Sequence, residues 1–405
     1  MERTEAFLRA VGAPHQRLRI LHVAGTNGKG SVCATLETLL RARGLRVAKY
    51  TSPHLVDLRE RFVVDGETVS EEWVADFIAR WTPEVERLGA TFFEATTAMA
   101  FAWFAEREAE VAVVETGLGG RLDSTNVVRP LVAAVTAIGI DHTEYLGETR
   151  EAIAAEKGGI FKPAVPATIG ERDPSIRALL ARLATERGAS SVTSIWDDAP
   201  PRDVVVTGAG TQFAIDADGS ERRLRTPLTG AHQASNTTLA LFTVRAVDEK
   251  HALWGGWEEA QEALSKVRLP GRFHRVGKYV FDVAHNADGA QVLATTLAGL
   301  GAPRPVAAVV CVLQDKDWRA MLGALAPAVD HFVLTDAPTA PASRAWSLAE
   351  AHAYAVAMGW RVSAERDFEQ ALRRGEELGA TVLVTGSFHT VGDAMARLQV
   401  DPLAG

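Results

Sequence analysis

Short apolar runs rich in Val and Ile alternate along the chain with longer segments in which apolar residues recur at helical spacing. The run at residues 18–24, LRILHVA, leads into a glycine cluster, and the next segment, KGSVCATLETLLRARG, keeps helical spacing up to Gly44. Continuous apolar runs at residues 111–115 and 131–140 are typical of strands buried on both faces of a sheet. Strands alternating with helices predict an α/β fold with a mainly parallel sheet, whose ligands bind at the carboxyl ends of the strands.

The pattern changes between about residues 190 and 229. Residues 203–228, DVVVTGAGTQFAIDADGSERRLRTPL, alternate with period two and contain an Asp-Gly turn signal, which predicts a small antiparallel sheet. Helical spacing follows in HQASNTTLALFTVRAV, and the α/β alternation resumes beyond Pro270, with strands expected near Val280, Val309, Val333 and Val382. We therefore predict two domains, residues 1–269 with the main and the small antiparallel sheets, and residues 270–405 with a smaller Rossmann-like α/β fold.

Composition narrows the class of protein. The chain has 405 residues, 47% hydrophobic and 23% charged, with a net charge of −8, which argues against a general binder of nucleic acids or membrane surfaces. Two cysteines predict neither a disulfide scaffold nor a zinc site. The first residues lack an apolar signal region, and the longest apolar runs are too short to span a bilayer. We expect a cytoplasmic protein.

The segment GTNGKGS, residues 25–31, lies between a predicted strand and a predicted helix. The standard phosphate loop reads G-x-x-x-x-G-K-[ST]. Here Gly28 and Lys29 are present, but Gly30 delays the hydroxyl to Ser31, and Val23 stands in place of the first glycine. Backbone N–H groups of such a loop and the helix N-terminus bind phosphate. The loop therefore predicts a nucleotide site, the alternative being a tight turn with a solvated lysine.

Further motifs follow in order along the chain: YTSPHL (50–55), VVETGLGGRLDSTN (113–126), IGIDHTEYLG (138–147), IAAEKGGIFK (153–162), GRFHRV (271–276), DVAHNADG (282–289) and TGSFHT (385–390). Together with GTNGKGS this set closely resembles the folylpolyglutamate synthase/dihydrofolate synthase family, the folate branch of the Mur-ligase superfamily. The resemblance runs from His22 to about Asp393. The resemblance implies that GTNGKGS is the folate branch's own form of the phosphate loop. The cell-wall precursor ligases of the same superfamily carry Thr where Gly30 stands, so Gly30 favours the folate branch.

The resemblance implies a monomeric ATP-dependent amide ligase with a P-loop Mur-ligase-like ATPase domain. Such a ligase phosphorylates a carboxylate, and an incoming amine then attacks the acyl phosphate. The expected reaction adds L-glutamate to the γ-carboxylate of a reduced folate, with dihydropteroate as a further acceptor. The expected cofactors are ATP and one or two Mg²⁺ ions. Two alternatives stay open, a Mur-type ligase for another amino acid and a P-loop switch that only binds and hydrolyses nucleotide.

The same resemblance assigns the nucleotide and metal residues. Expected nucleotide contacts are Gly25, Thr26, Asn27, Gly28, Lys29, Gly30, Ser31, Asn236, Arg272 and Asp282. Expected metal ligands are Ser52, Glu115 and His142. Glu115 also stands out by itself, because it ends an apolar strand, where a charge has no packing role.

Lys29, Lys157 and His285 are the expected catalytic residues. Lys29 would reach the outer phosphates of ATP, and His285 would lie beside the reaction centre and the amino-acid acceptor. Lys157 lies at the end of a predicted helix, and the family carries a carbamylated lysine at this position. A lysine must lose its proton to react with CO₂, and burial lowers its pKa toward that state.

The substrate residues implied by the family are Phe93, Glu94, Leu122, Asp123 and Ser124 for the pteroyl group, and His285 and Ser387 for glutamate. One departure bears on these assignments. The family has a longer N-terminal lead with a Gly-Leu-[Asp/Glu]-Arg-type segment, and this sequence has only about two dozen residues before the loop. We expect either a misplaced start or a weakened dihydrofolate synthase activity, with polyglutamation less affected.

Overall fold

The computed structural model describes residues 1–247 and 249–402. Its strands are β1 (Arg19–Ala24), β2 (Val47–Tyr50), β3 (Phe62–Val64), β4 (Glu67–Thr68), β5 (Val111–Glu115), β6 (Val132–Val135), β7 (Ala167–Ile169), β8 (Val192–Ser194), β9 (Arg202–Thr207), β10 (Gly210–Ala217), β11 (Ser220–Thr226), β12 (His274–Val276), β13 (Tyr279–Asp282), β14 (Val306–Val310), β15 (His331–Leu334), β16 (Val362–Ala364) and β17 (Thr381–Thr385).

Its helices are α1 (Glu2–Ala10), α2 (Lys29–Ala42), α3 (Glu71–Leu88), α4 (Phe92–Glu106), α5 (Thr143–Leu146), α6 (Arg150–Lys157), α7 (Pro174–Glu186), α8 (Ile195–Asp198), α9 (His232–Arg245), α10 (Trp257–Leu264), α11 (Ala287–Gly299), α12 (Trp318–Leu325), α13 (Leu348–Ala357), α14 (Phe368–Leu378) and α15 (Phe388–Arg397).

The first sheet has eight strands in the order β4-β3-β2-β5-β1-β6-β7-β8, and only β3 and β4 run antiparallel to their neighbours. β1 pairs with β5 on one side and with β6 on the other, and Val23 lies opposite Glu115. Every residue of β5 is buried, as its continuous apolar run requires. Helices α2 and α9 contribute to the core on one face, and α4 contributes to the core on the other. The predicted mainly parallel sheet is confirmed.

One predicted strand is wrong in extent. The apolar run at 131–140 predicted a single strand, but β6 ends at Val135. The Thr136 N–H then donates to the carbonyl of Ala24, and Ala137 bridges to Asn27, so the chain folds over the end of β1. His142 consequently does not lie at a strand end. It has a left-handed backbone (φ 51°) at the start of α5.

The small antiparallel sheet, in the order β11-β10-β9, confirms the interpretation of the period-two segment. The predicted segment, residues 203–228, begins within one residue of β9. β8 lies earlier, in the stretch where the pattern already changes, and it pairs in parallel with β7 at the edge of the first sheet. Three residues are too few for alternation to reveal a strand's partner.

A third sheet has the order β12-β13-β17-β14-β15-β16, with only the β12–β13 pair antiparallel. It contains the four predicted strands near Val280, Val309, Val333 and Val382, whereas the three-residue strands β12 and β16 were not predicted. The domain ranges 1–269 and 270–405 stay predictions, and their residues Asp248 and 403–405 lie outside the described residues.

The carboxyl ends of the first and third sheets face each other. The side chains of Asn27, which follows β1, and Asn286, which follows β13, form a reciprocal amide contact, with Asn286 Nδ2 3.0 Å from Asn27 Oδ1. Leu55, which follows β2, packs against the core of the third sheet. Within the described ranges, no helix combines the length and apolarity that crossing a bilayer requires.

Candidate active site

A cavity of about 310 Å³ lies between the two facing sheets. The first sheet's side contributes the glycine loop, defined here as residues 25–31, together with Ser52, Glu115, His142, Lys157 and Asn236. The third sheet's side contributes Arg272, Asp282 and His285. All predicted nucleotide, metal and catalytic residues therefore line one cavity, although their assigned roles stay predictions.

The glycine loop needs glycine for steric reasons at two positions. Gly25 has φ 152°, and a Cβ atom there would lie 1.7 Å from Oγ1 of Thr136. Gly28 has φ 93°, and a Cβ there would lie 2.4 Å from Oδ1 of Asn236. The tight packing places the N-terminus of α2, with its partial positive charge, at the cavity.

Lys29 and Glu115 form the charged pair at the mouth of the glycine loop. The Lys29 ammonium donates to the carbonyls of Gly25 (3.0 Å) and Thr26 (3.3 Å) and lies 3.8 Å from Oε1 of Glu115. Glu115 Oε2 accepts a hydrogen bond from the Ser52 N–H at 3.2 Å. Burial raises the pKa of Glu115, an effect that the charge of Lys29 opposes. A buried carboxylate with so few partners has lone pairs free for a cation.

Lys157 ends α6 directly behind the glycine loop. Its side chain is buried, and Nζ donates to the carbonyl of Gly25 at 2.9 Å. Burial, reinforced by the charge of Lys29, lowers the pKa of Lys157 to about 7. The lowered pKa favours the neutral amine far more than in an exposed lysine.

A charged cluster that sequence reasoning missed joins the two sides of the cavity. The Lys316 ammonium contacts Asp141 Oδ1 at 2.5 Å and lies 3.5 Å from His142 Nε2, and the Lys316 and Asp141 side chains are each only 7% exposed. Burial alone would raise the pKa of Asp141, but the hydrogen bond and charge of His285 and the charge of Lys316 hold it well below its usual range. Burial, reinforced by Lys316, lowers the pKa of His142 to about 4, so its imidazole is neutral.

His285 lies with both ring nitrogens facing acceptors. Nδ1 is 2.9 Å from the carbonyl of Val283, and Nε2 is 3.5 Å from Oδ2 of Asp141. Because a carbonyl oxygen only accepts hydrogen bonds, the contact with Val283 favours a proton on Nδ1. The ring lines the cavity, and the contact with the Val283 carbonyl orients it.

Two more residues of the third sheet's side approach the glycine loop. A Cβ on Gly30 would lie 3.9 Å from Nη2 of Arg272, whose guanidinium also stacks over Phe388. Asp282 ends β13 and accepts hydrogen bonds from the N–H groups of Phe273 (2.8 Å) and Ala284 (2.9 Å). Arg272 thus places a cation opposite the glycine loop. The Asp282 carboxylate mainly accepts hydrogen bonds from nearby backbone N–H groups.

Two family models match the chain. The Mur ligase middle domain matches residues 23–244, and the Mur ligase, glutamate ligase domain matches residues 271–388. A dihydrofolate synthase/folylpolyglutamate synthase of Bacillus subtilis is 34% identical over 412 residues, covering 98% of this chain and 94% of the relative. The chain belongs to the dihydrofolate synthase/folylpolyglutamate synthase family of Mur ligases.

Solved structures of family members have the same fold. Mycobacterium tuberculosis folylpolyglutamate synthase complexed with ADP superposes with a TM-score of 0.91 at 32% identity, over 99% of this chain and 95% of that one. A bifunctional folylpolyglutamate synthase/dihydrofolate synthase with Mn, AMPPNP and L-glutamate bound superposes with a TM-score of 0.83 at 32% identity, over 98% and 94% of the chains.

The predicted pteroyl residues of this family member lie outside the cavity lining. Phe93 stacks on Tyr50, and a Cβ on Gly117 would lie 2.3 Å from the Phe93 ring. Glu94 forms the capping box of α4 with Thr91 and accepts from Arg3. The remaining three form one loop, in which Leu122 is 64% exposed and Asp123 and Ser124 are buried. Their substrate roles stay predictions.

Ser387, the predicted glutamate contact, also lies outside the cavity lining. Its hydroxyl accepts from the Thr390 N–H at 3.1 Å and lies 2.7 Å from the Thr390 hydroxyl, so it is the N-cap of α15. The side chain is only 2% exposed. The next residue, Phe388, reaches the cavity instead.

The donor set suits a magnesium ion that arrives with a nucleotide. In residues 1–247 and 249–402, no three or more His, Cys, Asp or Glu side chains are clustered as a ready-made metal site. Mg²⁺ in ATP-dependent enzymes commonly takes one or two protein oxygens, and phosphates and water complete its shell. Glu115, with Ser52 beside it, fits that requirement.

Proposed function

We propose that this chain is an ATP-dependent amide ligase that joins L-glutamate to the γ-carboxylate of a reduced folate. The observation that carries the proposal is one cavity lined from two sides. The glycine loop, Lys29 and Glu115 come from the first sheet, and Arg272 and His285 come from the third. The ADP, AMPPNP and L-glutamate complexes of family members at 32% identity support the nucleotide and the amino acid.

The reaction follows from this arrangement. A γ-carboxylate oxygen attacks the terminal phosphorus of ATP, ADP leaves, and the amine of glutamate then attacks the acyl carbon and expels phosphate. Lys29 and Arg272 bring positive charge to the cavity, which stabilises the transferring phosphoryl group. Mg²⁺, when held by Glu115 and Ser52, would neutralise further phosphate charge. Closure of the two sides keeps water from the acyl phosphate.

Lys157 is proposed to carry a carbamate. The buried amine, with its pKa near 7, is reactive toward CO₂ at neutral pH. The product would replace a cation by an anion beside Lys29, whose charge stabilises it. This oxygen-rich group would add a ligand for a metal or orient Lys29 toward phosphate.

Dihydropteroate is proposed as a second acceptor. The name of the Bacillus subtilis relative, which includes dihydrofolate synthase, supports this activity. A single experiment separates the candidates. The purified protein is incubated with Mg²⁺, ATP, glutamate and either tetrahydrofolate or dihydropteroate, while phosphate release and product masses are measured.

A gain of one glutamyl unit on tetrahydrofolate is expected, and a gain on dihydropteroate would add the second activity. Steady phosphate release without any coupled product would contradict the ligase proposal and favour a nucleotide switch. In a parallel incubation with other amino acids in place of glutamate, a coupled product would indicate another Mur-type ligase.

A further inference from the structure

Strand β1 carries a buried polar side chain in its middle, three residues before the glycine loop. His22 is 0% exposed and lies between Val114 of β5 and Ala133 of β6. Its Nε2 atom is 2.8 Å from the hydroxyl of Thr125, whereas Nδ1 has no hydrogen-bond partner within the described part of the chain. A buried imidazole with one unpartnered nitrogen is costly to keep, so its single hydrogen bond calls for an explanation.

The contact of His22 continues through Thr125 to Asp123. Asp123 Oδ1 accepts from the Thr125 hydroxyl and, at 2.9 Å, from the Thr125 N–H. Asp123 Oδ2 accepts from the N–H groups of Gly117 (2.9 Å) and Leu118 (2.8 Å). Gly117 and Leu118 line the cavity, although Asp123 does not. The carboxylate therefore holds the cavity wall by its backbone.

The direction of the His22–Thr125 hydrogen bond follows from the single proton on the Thr125 hydroxyl. A threonine hydroxyl has one proton, and Thr125 donates it to Asp123. The hydroxyl oxygen must then accept a hydrogen bond from His22, which requires the tautomer with hydrogen on Nε2. Burial also lowers the pKa of His22 to about 3, so the ring is neutral at neutral pH.

We propose that His22 and Thr125 are positioning residues that hold the Gly117–Leu118 wall of the cavity through Asp123. Strand β1 carries His22 and leads directly into the glycine loop. The position of this one strand therefore determines the positions of both the glycine loop and the Gly117–Leu118 wall. The proposal itself does not depend on which acid is the substrate.

The first test reads the tautomer of His22 by NMR of the full-length protein labelled with ¹⁵N at histidine. Comparison with a His22→Gln variant assigns the signal. The expected result is a neutral ring with its proton on Nε2. A neutral ring with its proton on Nδ1 would overturn the proposal, because Thr125 would then donate to Nε2 of His22 and could not donate to Asp123.

The second test measures backbone amide exchange at Gly117 and Leu118. Thr125→Val should raise their exchange about tenfold, because Oδ1 of Asp123 loses one of its two donors. Thr125→Ser should restore slow exchange, since it keeps the hydroxyl. Thr385→Val is the matched control, because Thr385 is a fully buried strand threonine whose hydroxyl has no partner in the described residues. Unchanged exchange in Thr125→Val would overturn the proposal.

A third readout rests on the proposed function. Thr125→Val should raise the KM for the folate severalfold while the KM for ATP stays unchanged, because Gly117 packs against Phe93 and the glycine loop is untouched. If the exchange result holds and no ligase product forms with any variant, only the function assignment fails. An equal rise in both KM values would contradict the proposal that Thr125 acts only on the Gly117–Leu118 wall.

Discussion

The carboxyl edges of the first and third sheets face each other across the cavity, yet their polar side chains are used differently. On the first sheet's side, Glu115 and Lys157 are buried and have mainly backbone partners, the Ser52 N–H and the Gly25 carbonyl. On the third sheet's side, Ser387 caps α15 with its hydroxyl. A polar residue after a strand therefore marks the sheet edge that borders the cavity, but it does not reveal whether that residue binds a ligand. A charged side chain with few hydrogen-bond partners remains available to a ligand, whereas one whose lone pairs already accept backbone N–H groups stabilises a loop.

Removing the charge of Glu115 should have the largest effect. Glu115→Gln should lower Mg²⁺-dependent turnover about a thousandfold, because the cavity loses its buried anionic oxygen for the cation. Steady-state phosphate release at varied Mg²⁺ measures this. Glu37→Gln is the matched control, since Glu37, on α2, is also a buried carboxylate and pairs with Lys49 outside the cavity lining. Turnover of Glu115→Gln equal to that of the control would discredit the metal assignment.

Breaking the pair that joins the two sides should come next. Lys316→Met should destabilise the protein by about 3 kcal/mol, because Asp141 stays buried without its closest partner. Urea unfolding measures the loss, and Lys316→Arg should recover much of it. Arg304→Met removes an exposed ion pair to Asp330 and should cost less than about 1 kcal/mol. Equal losses in the Met variants would argue that the Lys316 pair is not buried.

The modification of Lys157 should depend on pH. A lowered pKa means that the neutral amine gains population as pH rises through about 7, so its fraction grows about tenfold from about pH 6 to pH 8. Incorporation of ¹³CO₂, read by NMR at constant dissolved CO₂, should rise over that window and be absent in Lys157→Ala. An ordinary surface lysine would show the rise only near its usual pKa. A signal that persists in Lys157→Ala would place the carbamate elsewhere.

The smallest effect is expected at Ser387. Ser387 is an N-cap, so Ser387→Ala should lower the free energy of unfolding by about 1 kcal/mol. Ser387→Asp should restore part of that loss, because aspartate, like serine, caps helix N-termini. The KM for glutamate should change little. A large rise in that KM with unchanged stability would instead support the predicted contact with glutamate.

Local patterns were sufficient for part of the site. The glycine loop after β1, Glu115 at the end of β5 and Lys157 at the end of α6 all lie where the sequence predicted them. Each position depends on a strand or helix whose periodicity is visible over neighbouring residues. The family motifs then supplied candidate roles that periodicity alone could not.

Other features depend on contacts that neighbouring residues do not reveal. Lys316 and Asp141 are 175 residues apart, and nothing near either residue indicates that they meet. Aspartate and serine side chains, such as those of Asp123 and Ser387, either bind ligands or accept hydrogen bonds from backbone N–H groups. The sequence alone does not distinguish these two roles. The run at 131–140 looked like one strand because its apolar residues continue beyond β6 into a loop in which Thr136 and Ile138 are also buried.

The central claim is that the cavity transfers a phosphoryl group from ATP to a carboxylate. The most direct measurement uses tetrahydrofolate labelled with ¹⁸O in its γ-carboxylate, with ATP, Mg²⁺ and glutamate, and analyses the released phosphate by mass spectrometry. With both oxygens of the γ-carboxylate labelled, each phosphate released with product should contain one ¹⁸O atom, because the attacking carboxylate oxygen leaves with phosphorus. Release of unlabelled phosphate alongside the coupled product would contradict an acyl phosphate.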